Sequence, residues 1–585
     1  MGTFRLLWPY LRRQRGVLLV SLLLAMVAAL AGTQPPALLR TVVDQLRLNQ
    51  DLAQQPGLIN LLLRYGGLIL LAAAVTSVLN FGLRLLVGRA SYAVEYELRN
   101  DLFGHLMRLD QAFYGQHHTG DLMARMTNDL SAVRQMLGPG LLQIMGPGIL
   151  IIVAAVLMLG IDLPLALVAL TMLPTISLSF AVIGRRMRDR FGKVQTQFGE
   201  LSTRAQENFS GIRTIKAYAQ EVQEIAAFRE GNEQYRKFNL SYVLLNGLIW
   251  PMMALLIGVT AGLILLVGGQ AVASGRITLG EFVQFNSYVG LLTWPMIALG
   301  WTVTLVQQGA ASLIRINEVL AHMPNVQTPQ RPQTPAQWQG AVEFRNVGLR
   351  YGDRWIVRDV SFSIPQGGSL AIVGPTGAGK TTLVNLLGRV QDPTEGQILI
   401  DGVDVRNIAL DELRRQLSYV PQDTFLFSTP LRDNITFGRQ DAPEAAITHA
   451  LEVSQLINDV PQFPNGIDTV IGERGVTLSG GQKQRTAIAR GVLRDPTILI
   501  LDDAMSSVDT HTAGQILQHL REQMQDRTSI IIAQRIATVK DADQILVLHD
   551  GAIAERGTHS ALVKHDGLYA AMYRRELLRS EMEVA

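Results

Sequence analysis

The sequence predicts a multidomain chain: an all-α six-span transmembrane bundle with long cytosolic helix extensions, followed by an α/β P-loop domain. Three observations predict it. Apolar runs of spanning length crowd the residues before about 310 and then give way to ordinary soluble composition. The glycine-rich run Gly374-Pro375-Thr376-Gly377-Ala378-Gly379-Lys380-Thr381 follows the apolar stretch Ser369–Val373, as a strand–loop–helix unit should. The 585 residues are too many for one soluble core, and 17% charged residues is low for a soluble protein of that size. The expected boundaries are a transmembrane domain over 1–320, a linker over 321–340 and the P-loop domain over 341–580.

The six spans fall near 17–38, 58–88, 136–160, 163–184, 243–271 and 277–305. Each can cross a hydrocarbon core that needs about 20 residues of helix. Val17–Ala31 and Gly258–Val267 carry no charge at all. Short loops at 39–57, 160–163 and 272–276 hold few cations, whereas 89–135 and 185–242 hold many, among them Arg185, Arg186, Arg188, Arg190 and Lys193. Cationic segments stay cytoplasmic, which places both long segments and both termini inside. Helical spacing of Leu122, Met126, Leu130 and Val133 makes these segments helices that continue out of the membrane. Phe4–Arg15 is amphipathic and basic, reads as a surface-lying helix, and has no signal-peptide cleavage pattern.

Inside the spans, Pro147, Pro164, Pro174, Pro251 and Pro295 can kink helices around a cavity. Asn80, Arg84, Asn246, Trp250, Trp294 and Gln307 are polar or amphipathic groups of the kind that line pathways, although a Trp near a span end also serves as an interfacial anchor. No acidic pair lies mid-span, so proton coupling has no support. The formal charge of +3 without a clustered basic face gives no case for nucleic acid. The absence of cysteine excludes disulfides and thiolate metal sites.

Pro324–Pro335 is proline-rich without apolar period and reads as a linker. Strands follow at Ala341–Asn346, Ser369–Val373, before Gln422, and last at Thr528–Ala533, with a helical piece over roughly 430–490. The glycine run predicts the chemistry: backbone N–H groups cradle phosphates, Lys380 reaches the outer ones, and Thr381 offers its hydroxyl to magnesium. Ile498–Leu501 reads as a buried strand delivering Asp502 toward the same metal. Leu478-Ser479-Gly480-Gly481-Gln482 is a second glycine-rich loop opening a helix, another anion site. One nucleotide reaches both loops only if two domains share it.

In this order, these motifs resemble those of ABC transporters of the exporter type, in which a transmembrane half is fused to its ATPase domain. The resemblance covers nearly the whole chain and implies ATP and Mg2+ as cofactors. It implies a nucleotide site formed by Tyr351 stacking on adenine, the run from Gly374 through Thr381 with Thr382 beside it, and Gln422 as the Q-loop glutamine. Thr381, Gln422 and Asp502 would hold the metal. Leu478–Gln482 would be the signature serving a partner's nucleotide, Asp509 the D-loop aspartate and Glu473 part of an X-loop. Segments 113–125 and 207–218 would be the coupling helices.

Two positions depart from the family pattern. Asp503 stands where the family usually places the catalytic Glu, one methylene longer, and Gln534 where it usually places the switch His. Both belong to the P-loop face, while the signature is intact. The resemblance therefore implies the degenerate-site subunit of a heterodimeric bacterial multidrug-type exporter in the inner membrane, with a second half-transporter, membrane lipid and a small amphipathic substrate as partners. A homodimer remains open. So do a lipid or peptide exporter or flippase, disfavoured as usually homodimeric with intact sites, and an ATP-gated channel or regulator. An importer is disfavoured by the fusion of spans to ATPase.

Overall fold

A computed structural model describes residues 6–48, 57–472, 478–524 and 527–584. The chain divides into two compact units, one of residues 1–107 with 118–322, the other of 108–117 with 323–585.

Among the described residues, six helices of the first unit are long and apolar enough to cross a membrane. The first runs as Arg15–Gly32 and Gln34–Leu48, interrupted at Thr33. Pro35 and Pro36 lack the N–H groups that would continue the ladder, and the buried Tyr288 hydroxyl donates to the Thr33 carbonyl at 3.2 Å. The second, Gly57–Leu106, is unbroken. The third, Thr119–Ile161, carries π-helical turns at Arg125–Asp129 and Met136–Gly140, the latter around Pro139. Leu163–Ser210, Glu221–Ala273 and Leu279–Ala321 complete the set. At 1.5 Å per residue, 50 residues make about 75 Å of helix, far more than a bilayer core of about 30 Å. Large apolar side chains such as Leu70, Val78, Ile152 and Leu265 stand exposed on the outer faces. Such faces suit lipid as solvent, not water.

Charged ties join these helices beyond their apolar stretches. Buried Asp129, on the π turn, accepts from Ser312 Oγ at 2.9 Å and pairs with Arg315. Glu95 accepts from Arg99 and pairs ionically with Arg134. At the opposite ends, Asp162 caps Leu163–Ser210 and pairs with Arg276 at 2.6 Å. Asp44 accepts from Thr278 Oγ1 and Gly280 N, both at 2.9 Å, where a Cβ on Gly280 would meet the Arg40 carbonyl at 2.5 Å.

The N-terminal amphipathic stretch forms the short helix Trp8–Arg13, with Tyr10 donating to Asp101 at 2.7 Å and Trp8 exposed. In segment 113–125 the short helix Gln111–Gln116 ends before His118, and a new helix starts at Thr119. Asp110 caps Gln111–Gln116 and accepts from Asn325 N at 2.7 Å. Segment 207–218 holds the short helix Ile212–Ala217, which buries no residue; Phe209, Tyr218 and Val222 beside it are exposed.

The second unit contains two sheets. β1 (Val342–Tyr351), β2 (Arg354–Ile364), β4 (Glu395–Ile400) and β5 (Val403–Asp404) form an antiparallel sheet in the order β2-β1-β4-β5. β3 (Ser369–Val373), β6 (Leu417–Val420), β7 (Ile498–Asp502), β8 (Thr528–Ile532), β9 (Gln544–His549) and β10 (Ala552–Gly557) order as β10-β9-β3-β8-β7-β6. The central strands are parallel and buried on both faces, as continuous runs like Ile498–Leu501 require. Thr528–Ala533 is therefore not the last strand. Two more follow it, and β9 pairs directly with β3. The stretch 430–490 is only partly helical: Leu431–Ile435 and Glu444–Val453 precede irregular turns, and a 14-residue helix, Gly480–Leu493, closes it.

Candidate nucleotide site

Parallel register brings the chemistry to one sheet edge. Val420 pairs with Leu501, and Leu501 with Ile531. Side chains just past those positions, Gln422, Asp503 and Gln534, thus emerge together at the carboxyl ends of β6, β7 and β8. The loop after β3 emerges beside them, because Ile372 pairs with Ile532. These groups line a cavity of about 210 Å³ with Thr376, Gly377, Gly379, Lys380, Thr381 and Thr382, and Asp502 at its floor.

The glycine loop takes a conformation closed to other residues. Gly379 has φ +92°, and a Cβ there would stand 2.8 Å from the Ile356 carbonyl. The helix Lys380–Leu387 starts directly after it and points its free N–H groups at the cavity. Lys380 Nζ donates to the carbonyls of Gly374 at 2.8 Å and Pro375 at 2.9 Å, across the loop's mouth. Burial pushes the Lys380 ammonium below its ordinary value, against the pull of Asp502 and Asp503. Ala378 is buried beneath the loop.

Asp502 is buried at the end of β7 and accepts from the Tyr419 hydroxyl at 2.8 Å. Burial, with Asp502 alongside, pushes the Tyr419 phenol well up, so it stays a donor. Asp503 follows in left-handed backbone, φ +47°, with its N–H donating to the Ile532 carbonyl at 2.8 Å. A non-glycine residue held there is strained, and the strain aims its carboxylate into the cavity. Gln422 Nε2 stands 3.5 Å from Asp503 Oδ2. Burial pushes the Asp503 carboxyl up and Asp502 adds to that, while the Gln534 backbone, Lys380 and Arg535 pull it down.

Ser479 and Gly480 lie exposed while Leu478 is buried. Ser479 caps the helix Gly480–Leu493: its Oγ accepts from Gln482 N at 3.2 Å, and Gln482 Oε1 accepts from Ser479 N at 3.0 Å. A Cβ on Gly481 would stand 3.1 Å from the Ser507 carbonyl. Buried Gln484 then clamps the same loop, accepting from Ser507 N and donating to Ser506 Oγ, both at 2.8 Å. Asp509 caps the next helix through Thr512 N at 3.0 Å, which holds its carboxyl below the ordinary range.

Of the residues expected to meet nucleotide, the loop, Gln422, Asp502, Asp503 and Gln534 converge. Tyr351 lies at the β1–β2 turn, 55% exposed, donating to Gln391 Oε1 at 2.6 Å, outside the cavity walls. Glu473 lies outside the described residues. Sequence reasoning missed the walls Ile356 and Ile532, the Tyr419 hydroxyl and the Gln484 clamp; alternation along β6 was the only available signal for Tyr419. Of the intramembrane polar residues, half-buried Asn80 and exposed Arg84 line a cavity of the first unit, and Asn246, Trp250, Trp294 and Gln307 are exposed on this chain.

Residues 18–296 match the family model described as ABC transporter transmembrane region, and 357–506 the one described as ABC transporter. The probable multidrug resistance ABC transporter ATP-binding/permease protein YheI of Bacillus subtilis is 37% identical, over 93% of this chain and 92% of its own length. The multidrug resistance-like ATP-binding protein MdlA of Escherichia coli is 35% identical over 100% and 98%. An ATP-dependent lipid A-core flippase of Desulfotalea psychrophila is 31% identical over 94% of both. The solved structure of a bacterial Atm1-family ABC exporter with ATP bound superposes with a TM-score of 0.80 at 30% identity, covering 97% of this chain and 98% of that one. With six apolar helices in front of a P-loop sheet, and these relatives matched end to end, the chain belongs to the ABC transporters, as a multi-pass, exporter-type, ATP-hydrolysing member with transmembrane and ATPase parts in one polypeptide.

Proposed function

We propose that this chain is one half of a heterodimeric exporter that moves amphipathic or hydrophobic molecules out across a bacterial inner membrane, and that its own nucleotide site is the weaker of two. Residues 1–320 form the translocation part and 341–580 the motor, on the cytoplasmic side. One observation carries the reading. Asp503 and Gln534, the two atypical groups, share this chain's own P-loop cavity, while the intact signature end at Ser479 stands exposed for a partner's nucleotide.

Lys380 and the loop N–H groups bind the outer phosphates, and Asp503 orients the attacking water from one methylene farther back than a Glu would. A misplacement of about 1 Å can cost roughly 100-fold. Gln534 donates a hydrogen bond but carries no charge at neutral pH. The Thr381 hydroxyl, the Gln422 amide oxygen and the Asp502 carboxylate are hard oxygen donors on one cavity, a set that fits Mg2+. When bound, the ion supplies charge neutralisation on the phosphate oxygens.

The test compares Ser479→Ala with Asp503→Ala in the purified complex. Ser479→Ala is expected to stop most steady-state ATP hydrolysis, because it serves the competent site. Asp503→Ala is expected to cost far less. Equal, severe loss from both would make this chain's site catalytic and the degenerate-subunit reading wrong. The flippase relative, matched over 94% of both lengths, makes a homodimeric lipid flippase the second reading.

A further inference from the structure

We propose that the cavity among the first three spanning helices binds an acidic amphiphile, one apolar chain with a carboxylate or phosphate head, and that Arg84 is its counter-ion; this rests on the exporter reading above. The cavity measures about 750 Å³, within the usual range for small-molecule sites. Facing stripes build it. The first helix contributes Ala25, Ala28, Ala29 and Gly32 there, small residues that leave the room, with Pro35 beyond them. The second contributes Ala73, Thr76, Ser77, Asn80 and Arg84 at helical spacing, and the third Gln143 and Gly146.

Neighbour contacts fix the directions. Gly82 faces Leu24 and Gly32 faces Thr76, so the first helix runs antiparallel to the second. Gly146 faces Leu83 and Gly138 faces Ser91, so the third does too. Along the second helix the polar groups cluster toward one end, with Leu83, Pro139 and Leu142 lining the cavity around them. Arg84 sits at the end toward Leu106, with Asn80 one turn in and Ser77 next. Leu150 stands level with Asn80, and beyond it the wall is Ala73 and Pro35. Arg84 to Ala73 is about 16 Å of helix, close to half of a hydrocarbon core of about 30 Å. One charge at that end of an otherwise largely apolar cavity matches an amphiphile lying as an inner-leaflet lipid lies, head at the cytoplasmic surface and chain toward the midplane.

The charge decides which head. Thr76 spends its hydroxyl on the Ala72 carbonyl at 2.8 Å. The side chains of Arg84, Asn80 and Gln143 take part in no hydrogen bond or ion pair among the described residues, and no carboxylate lines the cavity. Ionisable groups in spans usually pair. Here an anionic head supplies the pair, the two amides supply donors to it, and a cationic head would meet Arg84 as a like charge.

The test is equilibrium binding of three chain-matched probes, dodecanoate, dodecyl phosphate and dodecyltrimethylammonium, to the full transporter in zwitterionic nanodiscs, with empty discs subtracted. The wild type should bind at least one anion about tenfold or more tighter than the ammonium, the worth of one charge-assisted hydrogen bond or more; the tighter anion identifies the head. Arg84→Gln should abolish that preference, and Arg84→Lys should keep most of it. Ala73→Trp, which fills the apolar end, should weaken all three probes. No anion preference in the wild type, or a preference that survives Arg84→Gln, overturns the inference. ATP hydrolysis in the same discs separates the two readings. Intact hydrolysis without charge preference overturns this inference alone, whereas absent hydrolysis overturns the exporter reading.

Discussion

Replacing Gln484 by Met should loosen the join between the signature helix and the loop that follows β7. The side chain is buried at 4% exposure and makes two bonds of 2.8 Å, from Ser507 N and to Ser506 Oγ. Met keeps the length and volume but makes neither bond. Ser506 and Ser507 are themselves exposed, so water can take up their freed groups. The loss is then two net hydrogen bonds of about 1 kcal/mol each, roughly 2 kcal/mol in all. For a domain of this size that is a fall of about 4–8 °C in melting midpoint. Turnover should fall further than stability, because Gly481 packs against the Ser507 carbonyl and the signature must be held in place to meet a γ-phosphate. Thermal unfolding of the nucleotide-free complex, steady-state ATP hydrolysis and ATP binding form the assay. Binding at this chain's own site should survive, since Gln484 does not line that cavity. A Gln484→Met complex with wild-type midpoint and wild-type turnover would refute the clamp.

Three further outcomes are expected. Lys380→Ala should weaken ATP binding at this chain's site by about 10- to 100-fold, the worth of charge-assisted bonds to phosphate; unchanged occupancy in a nucleotide-binding assay counts against the site. Gly379→Ala should abolish that binding and lower the midpoint, because it adds a contact of 2.8 Å to left-handed strain of about 1–2 kcal/mol, whereas Gly377→Ala at φ +83° meets no neighbour and carries the strain alone; equal midpoints for the two would remove the contact from the explanation. Burial holds the Asp503 carboxyl above its ordinary pKa, so its contribution to stability is full below about pH 4 and is lost as pH rises through the raised value. Asp503→Asn should therefore gain midpoint over the nucleotide-free wild type as pH rises from about 4 toward neutrality, and parallel profiles would show that Asp503 carries no such penalty.

Much of this protein follows from local sequence alone. A run such as Val17–Ala31 can satisfy its backbone only as a helix in lipid, so the spans were legible without neighbours. The loop from Gly374 to Thr381 was legible because the demand for glycine is local, set by left-handed backbone and close approach. Asp502 could be picked out because it follows an apolar strand whose end is visible in composition, and Asp503 and Gln534 because they depart from the pattern of the family the motifs resemble. What the sequence could not show depends on distant segments meeting. Tyr419 reaches Asp502 across 83 residues, and Arg315 reaches Asp129 across 186. Sheet order placed β9 beside β3, although the pattern suggested the strands were finished at Thr528–Ala533. The break at Thr33 needed Tyr288 to cap it, 255 residues away. Arg84 read only as one polar residue in a span, until the packing of three helices gave it a cavity, small-residue walls and no carboxylate. Periodicity and motif chemistry are written along the chain, whereas register, pairing and enclosed volume arise only when separate segments exclude water and lipid from the space between them.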